Sequence, residues 1–113
     1  MTFDEYEALA MSTADYPNKG ENMVYPAMGL AGEGGEFCDK IKKFWRNYGS
    51  MSGVNLTPEQ KAAALKELGD PLWYIAAAAR ELGSSLEDVA VQNIAKLGDR
   101  RTRGVIKSEG DDR

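Results

Sequence analysis

The chain has 113 residues, with 14 Lys and Arg against 18 Asp and Glu and a net charge of −4. That length suits one domain, and the acidic balance excludes the basic footprint of a protein that grips a nucleic-acid polymer. There is no His and one cysteine, Cys38; this excludes an internal disulfide framework and predicts a reduced thiol, buried or half-buried. The sequence shows no signal peptide or lipidation motif, and its longest apolar stretch, around Trp73 to Ala79, is too short to cross a bilayer. It predicts a soluble, cytoplasmic protein with no membrane partner.

Thr2-Phe3-Asp4-Glu5 is a capping-box signature. Phe3, Tyr6, Leu9 and Ala10 then recur at helical spacing, which predicts a helix over 2–14. Tyr16 to Gly20 reads as a loop. A second helix begins at 22 or 26 and runs to 46, with Pro26 in its first turn. Met28, Leu30, Ala31, Phe37, Ile41, Phe44 and Trp45 supply its apolar surface. Gly32, Gly34 and Gly35 each weaken it by about 1 kcal/mol relative to Ala. A helix that carries them calls for close approach by a neighbour or ligand; a flexible loop over 29–35 is the alternative.

Asn47 to Gly53 reads as a mobile connection. Thr57 as N-cap, Pro58 at N1 and Gln60 at N3 start a third helix. It runs to Leu82, and Gly83 ends it. Ser84 or Ser85 caps a fourth helix to about residue 100, whose apolar stripe is Leu86, Val89, Ala90, Ile94 and Leu97. A polar tail, 106–113, follows a single domain over 1–105. No β pattern or repeat interrupts this order. The fold class is therefore all-α, a bundle of four main helices. A bundle of this size buries a modest fraction of its surface, and Ala76 to Ala79 allow close helix approach, so a dimer or larger assembly is expected.

The chemistry lies on the helix faces. Glu33–Glu36 and Glu67–Asp70 are acidic pairs at i,i+3, and residues so spaced project from one helix face. Two such helices packed together aim four carboxylates at one spot, an arrangement stabilised by a cation. Without His the site is all-oxygen, which favours Mg²⁺, or Mn²⁺ as a substitute, over Zn²⁺. Gly29, Glu33, Glu36, Lys40 and Lys43 share one stripe on the second helix; Glu67, Asp70 and Tyr74 share one on the third; Asn93, Lys96 and Arg100 share one on the fourth. Acids to hold a metal beside cations to hold anionic oxygen suit a metal–polyphosphate site. Ordinary solvated charge is the alternative for Lys40, Lys43, Lys96 and Arg100 taken singly. Asn93 is unusual mid-helix and points to a functional or buried hydrogen-bonding role. Tyr25, Phe37, Trp45 and Trp73 could stack on a base, with core packing as the alternative.

The segments GLAGEGGEFCDKIKK (29–43), KELGDPLWYIAAAARELGSSLEDVA (66–90) and NIAKLGDRRTRG (93–104) resemble the MazG-like family of all-α nucleotide pyrophosphohydrolases. The resemblance covers most of the chain. It implies hydrolysis of a nucleoside triphosphate to a monophosphate and pyrophosphate with Mg²⁺, and a homodimer or dimer of dimers with the site near the subunit interface. It implies that Glu33, Glu36, Glu67 and Asp70 are the catalytic metal ligands. Lys40, Lys96 and Arg100 would hold phosphates, and Asn93 would support the metal shell or the substrate.

The chain departs from the family pattern twice. Gly32 stands where many members carry a further Glu, which leaves the general base open. Pro71 stands where an aliphatic residue usually follows the motif Asp. It removes a hydrogen bond to the carbonyl of Glu67. A kinked but continuous helix is the expectation, with Asp70 as N-cap of a separate segment the alternative. Two other functions remain: a non-catalytic helical oligomer that binds a partner through a degenerate acidic site, and a dUTP- or phosphoribosyl-ATP-type hydrolase. Ferritin-like di-iron chemistry is excluded because its Glu-x-x-His pattern needs histidine.

Overall fold

The computed structural model describes residues 1–49, 51–107 and 109–110. Four α-helices follow one another: α1 Phe3–Met11, α2 Val24–Tyr48, α3 Pro58–Glu81 and α4 Leu86–Arg103. A short 3₁₀ turn, Gly53–Asn55, sits between α2 and α3 at the end of the connection expected over 47–53; residue 50 of that connection lies outside the described residues. No strand occurs among the described residues, and none of their helices is long and apolar enough to cross a membrane. Of the expected tail, residues 108 and 111–113 lie outside the described residues.

The helix starts follow their capping residues. Thr2 accepts from the Glu5 amide at 3.1 Å. Thr57 and Gln60 form a full capping box at α3, and Ser85 caps α4 by accepting from Asp88. At α2 the N-cap, Met23, offers no side-chain bond, and Asn22 just before it accepts through Oδ1 from the amides of Val24 and Tyr25. α1 stops three residues earlier than its pattern predicts. There Ser12 and Thr13 donate their hydroxyls to the carbonyls of Leu9 and Ala10, a local alternative to further helix. Gly49 and Gly104 close α2 and α4 with positive φ. The segment 29–35 is helical throughout, and α3 is continuous through Pro71.

The core is small and lies at one end of the molecule. Met11, Ala14, Tyr16, Ala76, Ala77 and Leu86 are buried together, with Tyr6, Ala10, Leu72, Trp73 and Ile75 packed around them. Here α1 and α4 pack on α3 and on each other. The alanine run expected to face another subunit is thus consumed within the chain, because its small side chains admit α1 and the start of α4. Two carboxylates tie this end together. Glu7, buried, accepts from the Leu86 amide at 2.7 Å and pairs with Arg80. Glu81 accepts from the Tyr16 hydroxyl and from the amides of Gly20 and Asn22.

Away from the core the chain is open. Of the stripe expected on α4, Leu86 is buried, whereas Val89, Ile94 and Leu97 are exposed, because the helix runs past the core. Cys38 is exposed rather than buried; it falls outside the α2 face that carries the half-buried Gly29, Glu33, Phe37, Lys40 and Phe44. The radius of gyration is 16.8 Å, against about 13 Å for a compact chain of this length.

Candidate active site

The acidic pairs meet where α2 lies antiparallel along α3. As α2 advances, its partners recede: Gly29 faces Tyr74, Glu33 faces Asp70, and Lys40 reaches Glu67. Each carboxylate is therefore placed by helix periodicity on its own element and by the register between the two. Glu33, Glu67 and Asp70 each offer an oxygen, and the three oxygens lie within 4.8 Å of one another. Glu36 stands outside this trio, exposed, in an adjoining recess.

The electrostatics record the crowding. Desolvation, then the charges of Asp70, Glu36 and Glu67, raise the Glu33 carboxyl above its ordinary value. Tyr6, from α1, is raised by burial and by the charge of Asp70. Lys40 answers part of the negative charge, its Nζ 3.7 Å from Glu67. Next to Lys40 on α2, Asp39 takes Lys42 and Lys43 at 2.9 and 2.7 Å; hydrogen bonds from these lysines hold its carboxyl down at about 2.

Two recesses flank the trio along the groove. One, of about 290 Å³, is lined by Glu33, Asp70, Trp73 and Tyr74. The other, of about 200 Å³, is lined by Glu36, Asp39, Lys40, Lys43, Phe44 and Glu67. Tyr74 lies on the backbone of α2 at Gly29, where a Cβ would come within 2.2 Å of its ring. At Gly32, Gly34 and Gly35, where a close approach was expected, such a Cβ would meet no atom of the described residues beyond its own helix backbone within 4 Å.

Asn93 and Lys96 line a separate cleft with Ala79, Leu82, Asp88 and Gln92. Ala79 is nine residues beyond Asp70, about 13 Å along the α3 axis. Arg100 is 4% exposed, buried rather than presented to solvent. Sequence reasoning missed Gly29 and Tyr74 as contact partners and Tyr6 as a neighbour of Asp70. The first two stood in the correct stripes, but their register across α2 and α3 is a tertiary property.

Carboxylates from two antiparallel helices of an all-α chain thus converge at one place, and their oxygens could hold a hard cation. Residues 26–105 match the MazG nucleotide pyrophosphohydrolase domain, and the chain belongs to that family. It is also 41% identical over 118 residues to the Gene 37 protein of Mycobacterium phage L5, with all of both chains covered. No solved structure matches it.

Proposed function

We propose that the chain hydrolyses a nucleoside triphosphate to the monophosphate and pyrophosphate with a divalent cation held by Glu33, Glu67 and Asp70. The observation that carries this reading is the trio of oxygens within 4.8 Å, contributed by both helices. The donor set fits the cation: three hard carboxylate oxygens and no nitrogen or sulfur suit Mg²⁺ or Mn²⁺. When bound, such an ion polarises the phosphoryl group and neutralises its charge.

The chain's own groups do the rest. Lys40 exchanges Glu67 for a phosphate oxygen, a charge-assisted contact. Glu36, beside the trio and outside it, takes the proton of the attacking water, the role that Gly32 cannot fill. The water oxygen adds to the α-phosphorus, the bond to the oxygen bridging the β-phosphorus breaks, and pyrophosphate leaves.

A second copy completes the assembly. The accessible surface is 8152 Å², against about 6,100 Å² for a compact chain of this mass. The exposed Ile41, Trp45, Leu65, Ile94 and Leu97 form part of the excess. Asn93 and Lys96 would reach a groove of the partner.

The deciding experiment is a panel of nucleoside tri- and diphosphates with Mg²⁺, following monophosphate and pyrophosphate together, with light scattering on the same sample. Release of pyrophosphate from a triphosphate, its loss in EDTA and its loss in Glu67→Gln are expected. Undiminished turnover in excess EDTA overturns the reading. Phosphate release from a diphosphate alone moves the substrate to the dUTP-type relatives, and a monomer mass refutes the second copy.

A further inference from the structure

The groove is not symmetric about the acidic trio. On one side the recess walls are Trp73 and Tyr74. On the other they include Lys40 and Lys43. Both aromatic residues share a face of α3 with Asp70, at i+3 and i+4, about one turn or 5.4 Å along the axis.

Both rings are fixed. The Trp73 indole Nε1 donates to the Ala10 carbonyl and to Thr13 Oγ1, each at 3.0 Å, so α1 holds its edge. Tyr74 meets Trp73 edge-on, centroids 5.0 Å apart at 78°; it also faces Tyr25 and the bare backbone of Gly29, and it lines the recess beside Glu33 and Asp70. One ring forms a floor and the other a wall at right angles. The carbonyl and hydroxyl of α1 already occupy the indole N–H, so what remains for a ligand is aromatic surface. Flat aromatic faces held in place are what a nucleobase stacks on.

Resting on the reading that a triphosphate is cleaved at its α-phosphorus, we infer that the groove binds the nucleotide in one direction: the base against Trp73 and Tyr74, the pyrophosphate portion toward Lys40 and Lys43. Cleavage at the α-phosphorus places the base one ribose from the reacting atom. It therefore falls within a turn of Asp70, where the aromatic corner stands. The leaving pyrophosphate then extends past Glu67 to the lysines. Lys43, now on Asp39, and Lys40, now on Glu67, exchange those carboxylates for phosphate oxygens. Trp73 is thus a base-contacting residue, and Gly29 positions Tyr74.

The chain supplies its own probe. It has two tryptophans, and Trp45 lies on α2 beyond the lysines, 58% exposed. In Trp45→Phe the remaining emission comes from Trp73. With Mg²⁺ present, AMP, GMP, CMP and UMP are titrated singly, and inorganic tripolyphosphate serves as the probe without a base. Saturable quenching by at least one monophosphate and none by tripolyphosphate is expected. Binding of α,β-methylene ATP, which resists cleavage, should weaken about 5- to 150-fold in Trp73→Leu, the range for one stacked base. Tripolyphosphate affinity should change less than about twofold, since the phosphate contacts remain. Trp73→Phe keeps an aromatic face but loses both hydrogen bonds, and it should bind the analogue within about threefold of the parent, which separates stacking from anchoring of α1. Lys43→Met should weaken tripolyphosphate and leave monophosphate quenching intact.

Quenching by tripolyphosphate equal to that by the monophosphates, or none by any monophosphate, overturns the inference. So does an equal loss of both affinities in Trp73→Leu. Pyrophosphate release with a silent Trp73 refutes the direction and leaves the hydrolysis standing. Quenching without pyrophosphate release refutes the hydrolysis and leaves the direction standing.

Discussion

Replacing Gly29 by Ala should lower the melting temperature, although alanine is the better helix former. In an open helix position the change stabilises by about 1 kcal/mol. At Gly29 the new methyl would lie 2.2 Å from one Tyr74 ring carbon and 2.5 Å from two others. The ring cannot retreat freely, because Trp73 meets it edge-on and Tyr25 lies 6.2 Å away. Overpacking of this kind costs about 1–3 kcal/mol. The net loss is then about 1 kcal/mol, or about 4–6 °C for a domain of this size. The internal controls are Gly32→Ala, Gly34→Ala and Gly35→Ala, which meet open space within the chain and should each raise the melting temperature. Thermal unfolding followed by far-UV circular dichroism measures all four. Gly29→Ala combined with Tyr74→Leu should recover part of the loss, as coupled neighbours do. A rise in Gly29→Ala equal to that of the other three would refute the argument.

Three further outcomes are expected. Pro71→Val restores the amide donor to the Glu67 carbonyl in a helix that is already continuous and should stabilise by about 1–3 kcal/mol; a lower melting temperature would show that proline serves there as the first residue of a separate segment. Glu7→Ala strips the Leu86 amide and Arg80 of their partner and should cost about 2 kcal/mol in urea unfolding, and an unchanged midpoint would contradict it. Burial, then the hydrogen bond to Glu81 and its charge, push the Tyr16 hydroxyl up to about 12 from 10.0. The unfolded chain deprotonates first, so a stabilisation on the order of 2 kcal/mol is complete below pH 10 and lost as pH rises toward 12. Tyr16→Phe should flatten that slope, and identical slopes in the two proteins would dismiss the role of the pair.

What could be read from the sequence was what local chemistry decides. Thr57-Pro58-Glu59-Gln60 carries its own capping geometry, and Gly83 its own positive φ, so the limits of α3 needed no tertiary information. The acidic pairs were legible for the same reason: spacing of three is a property of one helix. The register of α2 against α3 was not, and it decides that Gly29 receives Tyr74 and that Glu36 falls outside the trio. Burial misled in both directions. Leu97 and Ile94 have the pattern of a core stripe and are exposed, while the ionisable side chains of Glu7 and Arg100 are buried. Apolar spacing reports which face wants cover, not whether this chain supplies it.

The core and the groove share Trp73 and Tyr6 at their border and otherwise draw on different elements. α1, the second half of α3 and the start of α4 share one packed centre, whereas α2 lies chiefly along α3. The two regions can therefore drift apart under selection. Substitutions at Ala76, Leu86 or Glu7 change how much folded protein a cell holds. Those along the open face of α2 change the groove with less effect on that centre, Gly29 under Tyr74 excepted. In native-state hydrogen exchange the amides of α2 should open at lower free energy than those around Ala76. The chain is free to retune its groove without rebuilding the centre on which that groove is mounted.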